Sequence, residues 1–220
     1  MSIKARTRMK VCCISTADEA ATAVACGADA LGLVAHMPSG PGVIEDDLIH
    51  NIARQVPPPV ATWLLTSRKS AKDIVEHALT CGTNTVQIVS PIDPSEYHEL
   101  RLDLPACTRV VQVVHVEDEY SFEIAQEYSR VADAILLDSG SPDNDVLGGA
   151  GRTHDWDLSR HFVEKLDVPV FLAGGLTPQN IIEAIETVKP YGVDVCSGVR
   201  VDGRLDAGRM AEFAAALACT

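Results

Sequence analysis

Eight short apolar runs alternate with longer segments of helical spacing along the 220 residues of the chain. Most runs are rich in β-branched residues and nearly continuous in apolar character, which is typical of parallel strands buried on both faces. Eight strand and helix units in a chain of this length predict an α/β fold, a (β/α)8 TIM barrel, as one domain over residues 1–220. A doubly wound sheet is the alternative, since the pattern alone does not show closure. The runs lie at residues 9–14, 30–35, 60–66, 85–90, 109–116, 134–139, 168–174 and 192–197.

Two of the intervening segments carry signals for the start of a helix. Thr16 precedes a run of small residues, and its hydroxyl group suits the N-cap position. Thr177 is followed by Pro178, which we expect at the first helical position because proline lacks an N–H that is unpaired there anyway. These signals predict helices over residues 17–26 and 178–188.

Acidic side chains outnumber basic ones by 31 to 18, which gives a formal net charge of −13. A surface for nucleic acid needs a positive footprint, so we expect no nucleic-acid partner. The first ten residues are basic, with Arg6, Arg8 and Lys10 among them, and we interpret them as a solvated start of the chain. No apolar segment suited to a signal peptide or a membrane anchor follows them, so no membrane partner is expected either.

Seven cysteines lack the spacing of a disulfide framework, and two of them, Cys12 and Cys13, are adjacent. We therefore expect reduced thiols in the cytoplasm. No Cys-x-x-Cys or Cys/His zinc spacing occurs. His36 and His115 are too few for the ligand set of a metal-dependent epimerase, so we interpret both as surface or packing residues and expect no metal.

Two side chains at predicted strand ends suit proton transfer. Cys12 ends the first strand and offers a polarisable base, and Asp138 ends the sixth and offers a carboxylic acid. A barrel brings the carboxyl ends of all its strands to one rim, where both groups would face one small molecule. The structural alternatives are a buried cysteine and an aspartate that caps the following turn.

Two glycine-rich strand ends predict a phosphate site. Gly174 and Gly175 follow the seventh strand, and Ser197 and Gly198 follow the eighth. Glycine lets the backbone approach an anion closely, and the loops after strands seven and eight are where such barrels commonly bind phosphate.

These motifs resemble those of the phosphoribosylanthranilate isomerase family, (β/α)8 enzymes of tryptophan biosynthesis. The resemblance runs from about Lys10 to Val199 and so covers most of the chain. The matching segments are Lys-Val-Cys-Cys-Ile-Ser at 10–15, Gly-Ala-Asp-Ala-Leu-Gly at 27–32, Leu-Leu-Asp at 136–138, Gly-Gly-Ala-Gly-Arg-Thr-His-Asp-Trp at 148–156, Ala-Gly-Gly-Leu at 173–176 and Val-Asp-Val-Cys-Ser-Gly-Val at 193–199.

The resemblance implies a barrel of the ribulose-phosphate-binding type that catalyses an Amadori rearrangement, an internal aldose-to-ketose isomerisation without metal or nucleotide cofactor. Cys12 aligns with the family's catalytic base and Asp138 with its general acid. Asp194 takes the family's acidic position on strand eight. The implied partner is a small phosphorylated sugar.

Departures from the family's pattern concern the aromatic-acid end of the substrate and the catalytic base. Pro-Ser-Gly-Pro-Gly at 38–42 replaces Ser-Pro-Arg, whose arginine helps to hold the anthranilate group, and Val89 replaces a histidine of strand four. Arg200 stands where the family usually has glutamate, and Cys13 replaces a glycine beside the base.

The missing arginine leaves the substrate's carboxylate without its usual partner. We expect a relocated cation to bind it, because a carboxylate that leaves water needs a charged or hydrogen-bonding partner. Arg200 is favoured over the other cations that follow strands, which are Arg68, Lys69 and Arg152. A sugar-phosphate isomerase for a different phosphoribosyl compound is one alternative. A noncatalytic phosphate-ligand-binding barrel is another, although it would not require both an acid and a base.

Overall fold

Eight parallel strands close into a barrel in the computed structural model, which describes residues 6–38, 40–139 and 155–220. Neighbouring strands pair in chain order, and β1 (Arg8–Val11) pairs with β8 (Gly192–Val195) to complete the ring. The (β/α)8 barrel is therefore confirmed, and the doubly wound alternative is wrong. The other strands are β2 Ala30–Val34, β3 Ala61–Thr66, β4 Thr85–Ile88, β5 Arg109–His115, β6 Ala134–Asp138 and β7 Val170–Leu172.

Helices follow the strands and cover the outside of the barrel. Each buries an apolar stripe; the last turns of α7, for example, bury Ala184, Ile185 and Val188 at helical spacing. In the described ranges no helix is long and apolar enough to cross a membrane. The helices are α1 Ala17–Ala25, α2 Asp46–Gln55, α3 Ala71–Cys81, α4 Glu96–Asp103, α5 Tyr120–Ser129, α6 Trp156–Lys165, α7 Ile181–Val188 and α8 Ala207–Ala218.

The two helix-start signals differ in outcome. Thr16 is the N-cap of α1, and its hydroxyl oxygen accepts a hydrogen bond from the Glu19 N–H at 3.1 Å, as predicted. The prediction for Pro178 is wrong, because α7 begins only at Ile181. The Asn180 side chain accepts from the Thr177 N–H at 2.8 Å and donates to the Gly175 carbonyl at 2.9 Å. These bonds hold the segment before α7 as a turn.

The chain after β8 forms elements that the sequence did not predict. A short 3-10 helix, Ser197–Val199, leads into a two-stranded hairpin of β9 (Arg200–Val201) and β10 (Arg204–Leu205). The Leu205 N–H donates to the Glu19 carboxylate at 2.9 Å, which ties the hairpin to α1. The hairpin thus lies against the segment that follows β1.

The core has two layers, one between the strands and the helices and one inside the barrel. Inside, Trp63 meets Phe171 edge to face, with ring centres 5.0 Å apart. Gly32 on β2 is needed here, because a Cβ at that position would lie 2.9 Å from Cys12 Sγ. The interior packing therefore fixes how much room the Cys12 sulfur has.

The N-cap of α1 can be tested by Thr16→Ala. We expect the free energy of unfolding to fall by about 1 kcal/mol, because the Glu19 N–H loses its acceptor at the helix start. Thr22→Ala in the same helix is the control, since the Thr22 hydroxyl bonds only to the Asp18 carbonyl one turn back and alanine is a good helix former. Urea denaturation of both variants measures the difference. Equal losses would contradict the assignment of the cap.

Candidate functional site

A cavity at the carboxyl ends of the strands contains both predicted proton-transfer groups. Cys12 follows β1 and Asp138 ends β6, and both line it. β7 and β8 lie between their strands, so the two groups approach the cavity from different parts of the ring. The described residues that line the cavity are Cys12, Cys13, Val34, Met37, Gly40, Pro41, Leu65, Gln87, Val89, Val113, His115, Asp138, Ala173, Gly174, Gly175, Leu176, Asp194, Cys196 and Ser197.

Asp138 is half-buried, and one of its carboxyl oxygens accepts a hydrogen bond from the Ser139 N–H at 2.7 Å. On the neighbouring strand, His115 lies directly opposite Asp138 in the register of β5 and β6. Both ring nitrogens of His115 are buried and have no hydrogen-bond partner among the described residues. His115 is therefore not an exposed surface residue, and its imidazole lines the cavity.

The backbone that carries Cys12 is held from behind by Arg200. One guanidinium nitrogen, Nη2, donates to the carbonyls of Cys12, at 3.0 Å, and of Cys13. The other, Nη1, donates to the Glu19 carboxylate at 3.2 Å. Burial disfavours the carboxylate of Glu19, but hydrogen bonds from two backbone N–H groups and the nearby guanidinium hold its pKa below the ordinary value.

These contacts correct the hypothesis that Arg200 binds the substrate's carboxylate. The side chain is buried, does not line the cavity, and has its charge balanced by Glu19. Burial disfavours its charged form, yet Glu19 holds its pKa above the ordinary value. Arg68 and Lys69 are exposed and do not line the cavity either. Arg152, with most of the segment at 148–156, lies outside the described residues.

Lys10 is a residue of the site that the basic pattern of the first ten residues did not reveal, because that pattern predicted a solvated start of the chain. Arg6 and Arg8 fit that description, since both side chains are largely exposed and pair with Asp29. Lys10 points into the barrel instead, is fully buried, and its Nζ lies 2.6 Å from Asp194 Oδ2. Burial disfavours the ammonium, but the carboxylate of Asp194 holds the pKa of Lys10 above its ordinary value. The available signal was a single charged residue within the otherwise apolar run at 9–14.

The glycine-rich loops meet at the cavity as predicted, with one difference. Gly174 and Gly175 have left-handed backbone at φ 86° and 63°, a conformation that favours glycine. Among the described residues, neither of their N–H groups has a hydrogen-bond acceptor. Gly198, by contrast, does not line the cavity. A Cβ there would lie 2.0 Å from the Leu176 carbonyl oxygen, so this glycine lets the two loops pack together.

One group of possible metal ligands lies elsewhere, between α2 and α3. Asp46, His77 and Cys81 approach one another there. Both ring nitrogens of His77 already make hydrogen bonds, to Thr66 Oγ1 at 2.9 Å and to Asp46 at 3.1 Å. Burial raises the pKa of the Cys81 thiol to about 12, so it stays protonated. The group is therefore satisfied as a hydrogen-bonded cluster.

The buried ion pair can be tested by Lys10→Met. We expect the free energy of unfolding to fall by about 3–5 kcal/mol, because Asp194 keeps a buried carboxylate without its counter-ion. Arg8→Met on the same strand is the control and should change stability by less than about 0.5 kcal/mol, since that side chain is largely exposed. Urea denaturation measures both. Similar losses in the two variants would show that the pair is not a stabilising contact.

Known proteins share the sequence pattern and the barrel fold of this chain. The family model for N-(5'-phosphoribosyl)anthranilate (PRA) isomerase matches residues 9–216. The N-(5'-phosphoribosyl)anthranilate isomerase of Methanocella arvoryzae is 36% identical over 198 residues, 90% of this chain and 91% of that one. The solved phosphoribosyl anthranilate isomerase of Thermotoga maritima is 28% identical and gives a TM-score of 0.84 over 97% of this chain and 100% of its own.

A second solved structure adds a ligand to the comparison. It is a phosphoribosyl anthranilate isomerase in complex with reduced 1-(o-carboxyphenylamino)-1-deoxyribulose 5-phosphate. It is 26% identical to this chain and gives a TM-score of 0.81, covering 97% of this chain and 100% of that one. With its closed barrel, its family match and its thiol and carboxyl group in one cavity, the chain belongs to the N-(5'-phosphoribosyl)anthranilate isomerase family.

Proposed function

We propose that the chain converts N-(5'-phosphoribosyl)anthranilate to its ketose isomer by an Amadori rearrangement, as a step of tryptophan biosynthesis. The observation that carries this proposal is the cavity shared by the Cys12 thiol and the Asp138 carboxyl group. The family match over residues 9–216 supports the same activity. The seven free cysteines suit a reducing compartment, so we assign the protein to the cytoplasm.

Two proton transfers by these side chains account for the reaction. Asp138, as the acid, donates a proton to the ribose ring oxygen and opens the sugar to a Schiff base. Cys12, as the thiolate, removes the proton at C2′ and gives an enol-amine, which then ketonises to the product. No external oxidant is needed, because C2′ is oxidised while C1′ is reduced. Each step requires only a group that holds or releases a proton near neutral pH.

We assign the phosphate of the substrate to the part of the cavity at the carboxyl ends of β7 and β8. The N–H groups of Gly174 and Gly175 lack acceptors among the described residues and so are free to bind an anion. Nearby, Asp194 Oδ1 and Gln87 Oε1 on β4 are buried, and neither has a hydrogen-bond partner in the part of the chain that the structure describes. Both residues line the cavity, and both oxygens are hydrogen-bond acceptors, so we propose that they accept hydrogen bonds from ribose hydroxyl groups.

We propose that the carboxylate of the substrate accepts a hydrogen bond from His115. Among the described residues that line the cavity, His115 is the one side chain able to carry positive charge. Its two ring nitrogens are buried and have no partner within residues 6–38, 40–139 and 155–220, so a ligand that accepts a hydrogen bond there removes a desolvation cost. The segment after β2 lines the cavity with Met37, Gly40 and Pro41 and supplies no charge. We therefore move the carboxylate contact from Arg200 to His115.

The acid and base assignments predict that two conservative changes abolish turnover. Asp138→Asn keeps the shape but has no acidic proton, so kcat should fall by roughly 10²- to 10⁴-fold. In Cys12→Ser, kcat should fall at least as far, because a hydroxyl group is much less acidic than a thiol. Cys26→Ser, outside the cavity, is the control and should match the unchanged protein. Product formation from N-(5'-phosphoribosyl)anthranilate is the measurement.

The whole proposal is tested by complementation of a tryptophan auxotroph that lacks this isomerase. Growth with the unchanged chain and none with Asp138→Asn is the expected result. A well-expressed unchanged chain that fails to restore growth would favour a different phosphoribosyl substrate. Near-normal turnover by Cys12→Ser would exclude Cys12 as the base, and near-normal turnover by Asp138→Asn would exclude Asp138 as the acid.

The assignment of His115 predicts a selective effect on substrate binding. His115→Leu removes the donor, so KM for the natural substrate should rise by about 10- to 100-fold, the value of a hydrogen bond to a charged group. KM for N-(5'-phosphoribosyl)aniline, which lacks the carboxylate, should change little. His98→Gln, an exposed histidine of α4, is the control. Equal effects of His115→Leu on both compounds would exclude a carboxylate contact.

A further inference from the structure

Two thiols that the proposed reaction does not use lie together at the edge of the cavity. Cys13 Sγ and Cys196 Sγ are 2.9 Å apart, and both residues line the cavity. They follow β1 and β8, whose pairing places Val11 opposite Val195 and so brings the two strand ends side by side. A disulfide has its sulfurs about 2.05 Å apart, so these two need to approach by less than about 1 Å.

Packing alone is a poor explanation of Cys13. Its backbone has φ 62°, a left-handed conformation that glycine adopts freely and that other side chains rarely do. Its side chain is 5% exposed, and a Cβ at Gly42 would lie 2.5 Å from the Cys13 Cβ, so the residue occupies a crowded place on strained backbone. The strain is held in place by Arg200, which binds the carbonyls of both Cys12 and Cys13.

The two thiols differ in acidity in a way that suits a reaction between them. The neighbouring sulfurs of Cys12 and Cys196, together with burial, raise the pKa of Cys13, which therefore keeps its proton. The hydrogen bond between the Cys13 and Cys196 thiols lowers the pKa of Cys196 against the effect of burial, and the guanidinium of Arg200 lowers it further. Cys196 is also partly exposed, whereas Cys13 is buried. The Cys196 sulfur is thus the more accessible nucleophile, and the Cys13 sulfur beside it is the partner for a disulfide.

We propose that Cys13 and Cys196 form a reversible oxidation site at the edge of the active-site cavity, and that its co-substrate is a small peroxide. The Cys196 thiolate attacks one peroxide oxygen, the O–O bond breaks, and a sulfenic acid forms while hydroxide leaves and is protonated to water. The Cys13 sulfur then attacks the sulfenic sulfur. The S–S bond forms, the S–O bond breaks, and the Cys13 proton leaves with the oxygen as a second water. The two sulfurs supply the two electrons that reduce the peroxide.

Oxidation of this site changes the surroundings of Cys12. Cys13 directly follows Cys12 in the chain, and both residues line the cavity, so a disulfide at Cys13 alters the cavity wall beside the Cys12 sulfur. It also joins the segment that carries Cys12 to the loop that carries Ser197. Isomerase turnover therefore falls as the disulfide forms and returns when a dithiol reductant opens it.

Mass spectrometry of the peroxide-treated protein tests the proposal without relying on activity. Trypsin leaves Cys12, Cys13 and Cys26 in the peptide at 11–54, and Cys196 alone in the peptide at 166–200. We expect these two peptides linked, with a mass lower by two hydrogen atoms, and free thiols reduced from seven to five per chain. Dithiothreitol should restore the separate peptides and all seven thiols.

Single variants identify the linked sulfurs. Cys13→Ser and Cys196→Ser should each abolish the link, whereas Cys12→Ser and Cys26→Ser, within the same tryptic peptide as Cys13, should keep it. A link that persists in Cys13→Ser, or an unlinked protein whose Cys12 is oxidised beyond the sulfenic acid, would overturn the proposal. These readouts stay valid if the isomerase assignment fails, because they count thiols and cross-links only.

Discussion

The pairing of β1 with β8 is the contact on which the site depends. It closes the ring and sets Lys10 beside Asp194 in register, which allows the buried ion pair between them. It also brings the segment after β1, with the proposed base Cys12, against the loops that we propose for the phosphate. The buried ion pair, the Cys12 sulfur and the proposed anion site therefore lie together at the contact between β1 and β8, which we call the seam.

Charge in this seam is distributed in an unusual way for a site that takes an anionic substrate. The chain carries a net charge of −13, and two cations close to Cys12, Lys10 and Arg200, are buried and paired with Asp194 and Glu19. Neither is free to bind ligand. In the proposed function the substrate's charges meet backbone N–H groups at one end and the His115 imidazole at the other. Recognition would then rely on hydrogen-bond donors that have no partners among the described residues.

Much of this arrangement follows from the sequence, because strand counting fixes which residues reach the rim. That reasoning placed Cys12, Asp138 and the glycine-rich loops at one face, where the structure has them. It failed where the direction of a side chain depends on its partner. Lys10 appeared to be solvated because its neighbours Arg6 and Arg8 are, and the acid that holds it inward is 184 residues away. The contact between Arg200 and Glu19 requires a hairpin that no periodic pattern indicated.

The distance along the chain between β1 and β8 also governs when the protein becomes an enzyme. Contacts between such remote segments close a large loop and form late compared with contacts between successive strands. While a ribosome is still extending the chain, β1 is an open sheet edge, and Lys10 has no counter-ion. The seam forms only once β8 (Gly192–Val195) has left the ribosome, because that strand pairs with β1 and carries Asp194. Until then the segment after β1 and the loop after β8 do not share a cavity, and the unpaired edge of β1 is open to pairing with other chains.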